Sequence, residues 1–383
     1  MKIALPDASG TLTDYVLTGE PLPSSPLGAD AARVVFAACH VVADPFTGND
    51  PTGPAAIDWD GTLAFRRHLH GLGLGIAEAM DTAQRGMGLD WPGALELIKR
   101  TKAELPDALV FNGCGTDQLA PDQARNLDDV RRAYLEQVEA IQSVGGRLIV
   151  MASRALARVA RSPADYVGIY SEVLDNCDEP AILHWLGDAF DPELAGYWGA
   201  DEFEDAMNVA LEVIERNQAK VDGIKISLLD KEKEVIMRRR LPEGVRMYSG
   251  DDFNYPELIA GDEQGHSDAL LGIFDPLAVA VGKAMQHLDE GDTDGFLSVL
   301  DPTVPLSRLI FRAPTQYYKT GVVFLAWLNG HQSHFVMLGG AQSMRPLPYF
   351  VDCFKMADQC GLLAQPDLAV KRMKKLLEMY GIE

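Results

Sequence analysis

The sequence has no long hydrophobic run. No stretch of about 18 or more consecutive residues is apolar, so it predicts no membrane-spanning helix. The first residues, 1-MKIALPDASGTLTDYV-16, carry one lysine and then acidic and turn residues. A secretory signal peptide would instead have an apolar segment and a small-residue cleavage site. We therefore expect a cytoplasmic location and no membrane partner.

Basic residues are scarce. Lysine and arginine number 34 against 56 aspartate and glutamate, which gives a formal net charge of −22. The densest basic cluster is the three arginines at 238–240. Because binding to phosphate backbones requires many clustered cations, this balance argues against a nucleic-acid partner or an anionic membrane surface.

Cysteine is also infrequent, and its spacing is uninformative. The five cysteines form no C-x-x-C pair; they are Cys39, Cys114, Cys177, Cys353 and Cys360. An odd number of scattered cysteines is typical of reduced thiols rather than of disulfides or a zinc site.

Nucleotide-binding loops are missing too, since neither G-x-G-x-x-G after the first strand nor a Walker A loop is present. What the sequence does have is an alternation of short apolar runs with amphipathic stretches. The runs that we interpret as strands are 33–42, 74–80, 108–114, 147–153, 180–186, 221–229 and 245–250, and helical spacing is clearest in 60–73, 124–145 and 202–219. Buried strands that are each followed by a helix specify a parallel sheet. Seven or eight such units predict an α/β fold, a (β/α)8 TIM barrel.

The two ends of the chain differ from the middle. Residues 1–32 are rich in Pro, Gly, Ser and Thr and predict an N-terminal hairpin or arm. Residues 33–300 are assigned to the barrel domain. Residues 301–383 have helical patterns up to the end and predict a C-terminal helical extension.

A lysine interrupts the apolar run 221-VDGIKISLLD-230. In a barrel strand, alternate side chains face the lumen. Parity puts Ile224, Ile226 and Leu228 on one face, and it puts Lys225 on the other with Val221, Gly223, Ser227 and Leu229. Confinement in a poorly solvated lumen lowers the pKa of a lysine and yields the neutral amine that attacks a carbonyl. On spacing alone, a lysine that reaches solvent or pairs with a carboxylate is an equally open interpretation.

Three segments around this lysine resemble the dihydrodipicolinate synthase and N-acetylneuraminate lyase superfamily of class I aldolases. The segment 223-GIKIS-227 is similar to the Schiff-base strand of that superfamily. The segment 249-SGDDFNYPELIAGDEQGHSDA-269 is similar to its next strand and loop, and 179-EPAILHWLG-187 to the strand before the lysine. The resemblance implies a (β/α)8 barrel, an imine through Lys225 without a cofactor, a small keto substrate and a homo-oligomer, a dimer or tetramer. Segments 35–45 and 77–91 resemble a divergent branch of the superfamily.

The departures from the superfamily pattern bear on the substrate. His184 stands where the superfamily has its proton-shuttling tyrosine, and an imidazole can also relay protons. The segment 188–203 is inserted after this strand. Where the superfamily has Gly-Thr-Thr-Gly-Glu for a 2-oxo acid carboxylate, residues 80–84 read MDTAQ, and Asp81 would repel that carboxylate. No arginine follows the His184 strand at the position that recognises the second substrate of dihydrodipicolinate synthase. That activity is therefore not expected, and a keto sugar fits better.

The leading hypothesis is a class I aldolase or lyase with Lys225 and His184 as catalytic residues, acting on a 2-oxo acid or keto sugar. The expected substrate-binding residues are Asp81, Thr82, Gln84, Ser153, Arg154, Asp251 and Ser267. Arg154 follows the fourth predicted strand, from which it could hold an anionic group; a surface salt bridge is the alternative.

Two other functions stay open. The first is a metal-dependent barrel lyase or isomerase acting on a sugar-like substrate, with His40, Glu78, Asp81 and His266 as candidate ligands near strand ends. No short-range ligand spacing supports it. The second is a barrel without catalytic activity that binds a small molecule or a partner.

Overall fold

The computed structural model describes residues 1–28 and 30–382. Eight parallel strands close into a barrel in which each strand pairs with the next, and the last pairs with the first. A separate antiparallel hairpin, β1–β2, precedes the barrel. The hairpin strands are β1 (Lys2–Pro6) and β2 (Leu12–Val16), and the barrel strands are β3 (Val35–Ala38), β4 (Gly75–Glu78), β5 (Val110–Cys114), β6 (Arg147–Val150), β7 (Ala181–Leu186), β8 (Val221–Ser227), β9 (Arg246–Ser249) and β10 (Asp268–Leu271).

Helices connect the barrel strands and then continue to the end of the described chain. The α-helices are α1 (Trp59–Gly71), α2 (Trp91–Glu104), α3 (Leu127–Gln142), α4 (Arg154–Val159), α5 (Pro163–Asp175), α6 (Phe203–Arg216), α7 (Lys231–Arg238), α8 (Tyr255–Ala260), α9 (Phe274–Asp289), α10 (Thr293–Leu300), α11 (Val304–Ile310), α12 (Tyr318–Leu328), α13 (Leu347–Gln359) and α14 (Pro366–Met379). Short 3-10 helices lie at Asp81–Ala83, Pro121–Gln123, Pro192–Leu194, Tyr197–Gly199, Gln218–Lys220, Asp301–Thr303, Thr315–Tyr317 and Leu338–Met344. In the part of the chain that the structure describes, no helix has both the length and the apolarity needed to cross a membrane.

Polar side chains set the starts of the helices that follow the early barrel strands. Asp58, Asp90 and Asn126 each accept a hydrogen bond of 3.0 Å from the backbone N–H three residues later, and these bonds cap α1, α2 and α3. Such a side chain satisfies one of the amide groups that a helix start leaves unpaired. The chain therefore turns sharply from each strand or loop into its helix.

The barrel has an inner and an outer apolar layer. Aromatic and aliphatic side chains fill the lumen, where Phe36 contacts both Phe111 and Tyr248 edge to face. Ile224 and Ile226 pack in the outer layer against the helices, as parity predicts. Val221 also packs in the outer layer, although parity predicts that it lies on the same face as Lys225; for Val221 the prediction is wrong. The pairing of β7 with β8 is irregular at this point, since Ala181 pairs with Val221 but Ile182 with Gly223, and the irregularity shifts the alternation.

The predicted TIM barrel is confirmed, together with the N-terminal hairpin and the C-terminal helices. The eighth strand, β10, was not among the predicted runs, because its apolar residues continue almost directly into α9, which begins at Phe274. The observed strands are mostly shorter than the apolar runs that predicted them: 33–42 contains only Val35–Ala38. The division into three domains at residues 32 and 300 stays a prediction.

Candidate active site

A cavity of about 670 Å³ lies at the carboxyl ends of the barrel strands. Its wall comes from the loops after β4, β5, β6 and β7 and from residues 316–319 and 339–344 beyond the barrel. Active sites of TIM barrels gather at this end, because loops from several strands converge there. The residues of the C-terminal part extend this wall beyond what the barrel loops alone provide.

Lys225 lies in the middle of β8, at the register position opposite His184 of β7. Its side chain points into the lumen, where Cε is 2.8 Å from the position that a Cβ on Gly250 would occupy. The residue is only 7% exposed, and burial lowers the pKa of its amine, although the charges of Asp252 and Asp81 partly oppose this shift. His184 lines the cavity, whereas Lys225 lies next to it. The structure thus puts Lys225 where its neutral, nucleophilic form is favoured relative to that of a solvent-exposed lysine.

His184 is buried beside this lysine. Its Nε2 is 3.2 Å from Ser227 Oγ, and its Nδ1 has no hydrogen-bond partner. Burial, helped by the positive charge of Lys225, holds the imidazole pKa well below its ordinary value. His184 is therefore a neutral ring near pH 7 that can accept a proton or a hydrogen bond.

Asp252 is a site residue that the sequence analysis did not single out. It is buried, Oδ1 accepts a 2.9 Å hydrogen bond from the backbone N–H of Ile273, and burial raises its pKa to about 7 despite the opposing charge of Lys225. The predicted neighbour Asp251 instead accepts hydrogen bonds from Phe253 N and Asn254 Nδ2, both 2.8 Å, and organises the turn into α8. The Ser-Gly-Asp-Asp run at 249–252 indicated a carboxylate in the site, but the sequence alone did not show which of the two aspartates it is.

The loop after β4 brings Asp81 and Thr82 to the site. Asp81 lines the cavity. The Oγ1 of Thr82 is 2.8 Å from the hydroxyl of Tyr318, a cavity-lining residue at the start of α12. Burial, together with the charge of Asp81, raises the pKa of this phenol well above its ordinary value. Tyr318 was missed because it lies more than 200 positions further along the chain, outside the segments that carry the resemblance.

Ser153 and Arg154 also line the cavity. Ser153 Oγ lies 2.6 Å from Thr116 Oγ1 and accepts from the backbone N–H of Leu156, which caps α4. Arg154 is half exposed and donates from Nε to Asp191 at 2.6 Å. The ion pair predicted as one alternative for Arg154 is present, and it forms at the cavity wall rather than away from it.

Gln84 and Ser267 lie outside the cavity wall. Gln84 Nε2 donates to the carbonyls of Met87 and Leu338, both at 3.0 Å, and so ties two loops together. Ser267 precedes β10, at the end of the barrel opposite the cavity, and its hydroxyl bonds Glu234 Oε1 at 2.7 Å. Their contacts fit supporting roles in the fold, not substrate contacts.

The four candidate metal ligands are not brought together. His40 Nδ1 lies 2.7 Å from Asp275, and Glu78 forms a buried ion pair with Arg66 at 2.8 Å. His266 precedes β10, at the opposite end of the barrel from Asp81. Within residues 1–28 and 30–382, no group of three or more His, Cys, Asp and Glu side chains has a geometry that could hold a metal ion.

Solved structures of the dihydrodipicolinate synthase family share this fold. The prophage protein YagE from E. coli K12, crystallised in complex with pyruvate, superposes with a TM-score of 0.68 at 13% identity and covers 86% of this chain and 99% of its own. A dihydrodipicolinate synthetase-like protein from Pseudomonas aeruginosa gives a TM-score of 0.62 at 14% identity over 84% of this chain and 99% of its own. The 4-hydroxy-tetrahydrodipicolinate synthase of Methylacidiphilum fumariolicum SolV gives 0.63 at 14% identity over 89% and 99%. The resemblance inferred from the sequence is confirmed at the level of the fold.

No curated protein sequence matches the chain significantly. One family profile, described as "Protein of unknown function (DUF993)", matches residues 3–382. This match includes the hairpin, the barrel and the helices after it, as well as every residue of the cavity wall. The chain therefore belongs to the DUF993 family, whose fold is that of the dihydrodipicolinate synthases.

Proposed function

We propose that the protein is a class I aldolase or lyase that forms an imine between Lys225 and the ketone carbon of a small keto compound. The observation that carries the proposal is the environment of this lysine. Its amine is buried on the inner face of β8 beside His184, next to a cavity at the catalytic end of a barrel. The structural likeness to YagE, which was crystallised with pyruvate, supports the same chemistry by analogy.

The chemistry follows from the protonation states. A neutral Lys225 amine attacks the ketone, and the carbinolamine loses water to give a protonated imine. The imine then withdraws electrons from the adjacent carbon while a carbon–carbon or carbon–oxygen bond breaks. Asp252, with a pKa of about 7, can give and take protons near neutral pH. His184, held neutral, is suited to accept a proton or to orient the carbinolamine hydroxyl.

The cavity wall favours a substrate that is hydroxylated next to its ketone. Asp81 occupies the loop where a 2-oxo acid carboxylate would otherwise bind, and two negative groups there would repel each other. A hydroxyl, in contrast, can donate a hydrogen bond to Asp81. We therefore rank a keto sugar above a pyruvate-like acid, and we do not expect dihydrodipicolinate synthase activity. Assembly as a dimer or tetramer and a cytoplasmic location remain part of the proposal.

The test is borohydride trapping of the full chain with a panel of 2-oxo acids and keto sugars, read by intact mass. At least one compound should add its reduced mass to the wild-type chain, and Lys225→Ala should lose the adduct completely. The matched control is Lys231→Ala, which removes an exposed lysine four residues after β8 that pairs with Glu257. It should retain the adduct.

Two results would contradict the proposal. One is an adduct that persists in Lys225→Ala, which would put the imine on another lysine. The other is the absence of any adduct across the panel together with an activity that a chelator abolishes. The second result would favour the metal-dependent alternative.

A further inference from the structure

Lys319 is a buried cation in the cavity wall with no acidic partner. It follows Tyr318 in α12 and is 5% exposed. Its Nζ donates to the carbonyl of Gln316 at 3.1 Å and approaches the sulfur of Met87 at 3.4 Å. Among the described residues, no carboxylate lies within ion-pair distance of this amine. These two contacts are neutral, and the ring of Tyr318, whose centroid lies 4.7 Å from Nζ, offsets the charge only in part.

An uncompensated buried charge is costly to the fold unless a partner arrives. Burial lowers the pKa of Lys319 to about 8, although the more distant charges of Asp81 and Asp191 oppose the shift. The other cations of the wall are already paired, because Arg85 binds Asp117 and Arg154 binds Asp191. Lys319 is thus the cation in the described wall that remains available to an anion from outside the chain.

Arg154 lies close enough to act on the same anion. Its positive charge contributes to lowering the pKa of Lys319, and both residues line the cavity. Only its Nε is engaged by Asp191, which leaves the two terminal nitrogens of the guanidinium. A chain with a net charge of −22 otherwise repels anions. The cavity wall, with three cations (Arg85, Arg154 and Lys319) and three carboxylates (Asp81, Asp117 and Asp191), has no net formal charge and is therefore less repulsive to an anion than the molecule as a whole.

The size of the cavity leaves room for this second group. Its volume of about 670 Å³ is far more than a three-carbon keto acid fills, and it lies in the range of about 300–1,000 Å³ typical of sites for larger ligands. Asp81 raises the pKa of both Lys225 and Lys319, so its carboxylate lies within electrostatic reach of both lysines. Asp81 and Lys319 line the same cavity, and Lys225 lies next to this cavity beside His184.

We infer that Lys319, assisted by Arg154, binds an anionic group, a phosphate or a carboxylate, at the end of the substrate remote from its ketone. The substrate class is then a keto sugar with a phosphate or carboxylate terminus. Its ketone reacts at Lys225, its hydroxyls face Asp81, and its anion neutralises Lys319. The placement of the ketone at Lys225 rests on the proposed function, whereas the anion site at Lys319 does not.

Calorimetric titration of the full chain tests the site with three probes of similar size: neutral fructose, fructose 6-phosphate and 5-keto-D-gluconate. At least one of the two anionic probes should bind the wild type about 10- to 100-fold more tightly than fructose, the range expected for a charge-assisted hydrogen bond. The tighter of the two identifies phosphate or carboxylate as the group. Lys319→Met should abolish the preference. Arg158→Gln, which removes an exposed cation of α4 outside the cavity wall, should retain it.

The pH dependence gives a readout that needs no variant. The carboxylate of 5-keto-D-gluconate keeps its charge above pH 6, whereas Lys319 loses its proton as the pH rises through about 8. The affinity for this probe relative to fructose should therefore fall between pH 7 and 9. If Lys319→Met fails to fold, two other results test the anion site. The inference then requires that the relative affinity falls between pH 7 and 9 and that Arg154→Gln weakens the preference for the anionic probes.

Equal affinity for fructose and both anionic probes, or a folded Lys319→Met that keeps the preference, overturns the inference. Repeating the titrations in Lys225→Ala separates the two proposals. A Lys319-dependent preference without any borohydride adduct leaves the anion site standing and removes the imine chemistry. An adduct at Lys225 without an anion preference removes the anion site and leaves the imine chemistry standing.

Discussion

At the scale of single residues, the site depends on pKa values that burial displaces in opposite directions. Burial lowers the pKa of Lys225 and raises that of Asp252 to about 7. Each group also opposes the shift of the other through its charge. The two groups therefore titrate as a coupled pair, in which the charge of one favours the charged form of the other. A lysine that must be a nucleophile at pH 7 requires such an arrangement.

Asp252→Asn tests this coupling. The substitution retains an oxygen for the Ile273 N–H but removes the negative charge that raises the pKa of Lys225. Since the amine then deprotonates at lower pH, the pH midpoint of borohydride trapping should move downward. The midpoint and not the absolute rate is the readout, because the substitution also removes the proton transfer proposed for Asp252. A midpoint that moves upward or stays in place would refute the coupling.

At the scale of elements, neighbouring strands confine the lysine. Gly250, directly after β9, leaves the space in which the side chain lies: a Cβ there would be 2.4 Å from Ser227 Oγ and 2.8 Å from Lys225 Cε. The inner face of β8 and the end of β9 therefore fit together only because one position has no side chain. The orientation of the lysine is a property of this strand pair.

Gly250→Ala should accordingly displace Lys225 without removing it. We expect trapping to become about 10- to 100-fold slower, in line with the cost of misplacing a reacting group by about an ångström. The matched control is Gly168→Ala within α5, where an added Cβ meets no atom within 4 Å. It should leave trapping unchanged and stabilise the fold by about 0.5–1 kcal/mol. Wild-type trapping by a folded Gly250→Ala would show that the close contact does not position the lysine.

At the scale of the whole molecule, the two ends of the described chain are joined by one carboxylate. Asp358 of α13 is buried and accepts from the hydroxyl of Tyr15 in β2 at 2.8 Å and from the backbone N–H of Thr18 at 2.9 Å. A Cβ on Gly19 would clash with the carbonyl of the same aspartate. The N-terminal hairpin is thus fastened to the C-terminal helices, which in turn supply Tyr318 and Lys319 to the cavity.

Asp358→Ala should lower the free energy of unfolding by about 2–3 kcal/mol, because it removes the hydrogen bonds that a carboxylate accepts from Tyr15 and Thr18. Urea denaturation followed by tryptophan fluorescence measures the change. Asp352→Ala on the exposed side of the same helix is the control and should have little effect. Equal stability of the two variants would mean that the hairpin contributes nothing through this contact.

The sequence by itself determined the barrel fold, the position of a lysine within one of its strands and the face of that strand on which the lysine lies. Period-two alternation and repeated strand–helix units are local patterns, so they can be read without knowing which strands meet. His184 and Asp81 followed from the comparison with the superfamily pattern, and Arg154 from its position after a strand. Strand β10 was not recognised, because its apolar residues continue almost directly into those of α9.

Only the tertiary structure decided which polar groups surround Lys225 and which line the cavity. It separated Asp252 from Asp251, moved Gln84 and Ser267 out of the wall, and brought in Tyr318 and Lys319 from α12. The physical reason is that a pKa and a contact depend on burial and on neighbours distant in the chain, which no local pattern records. A strand pattern shows that Lys225 faces inward, but the packing of the C-terminal helices determines what it faces.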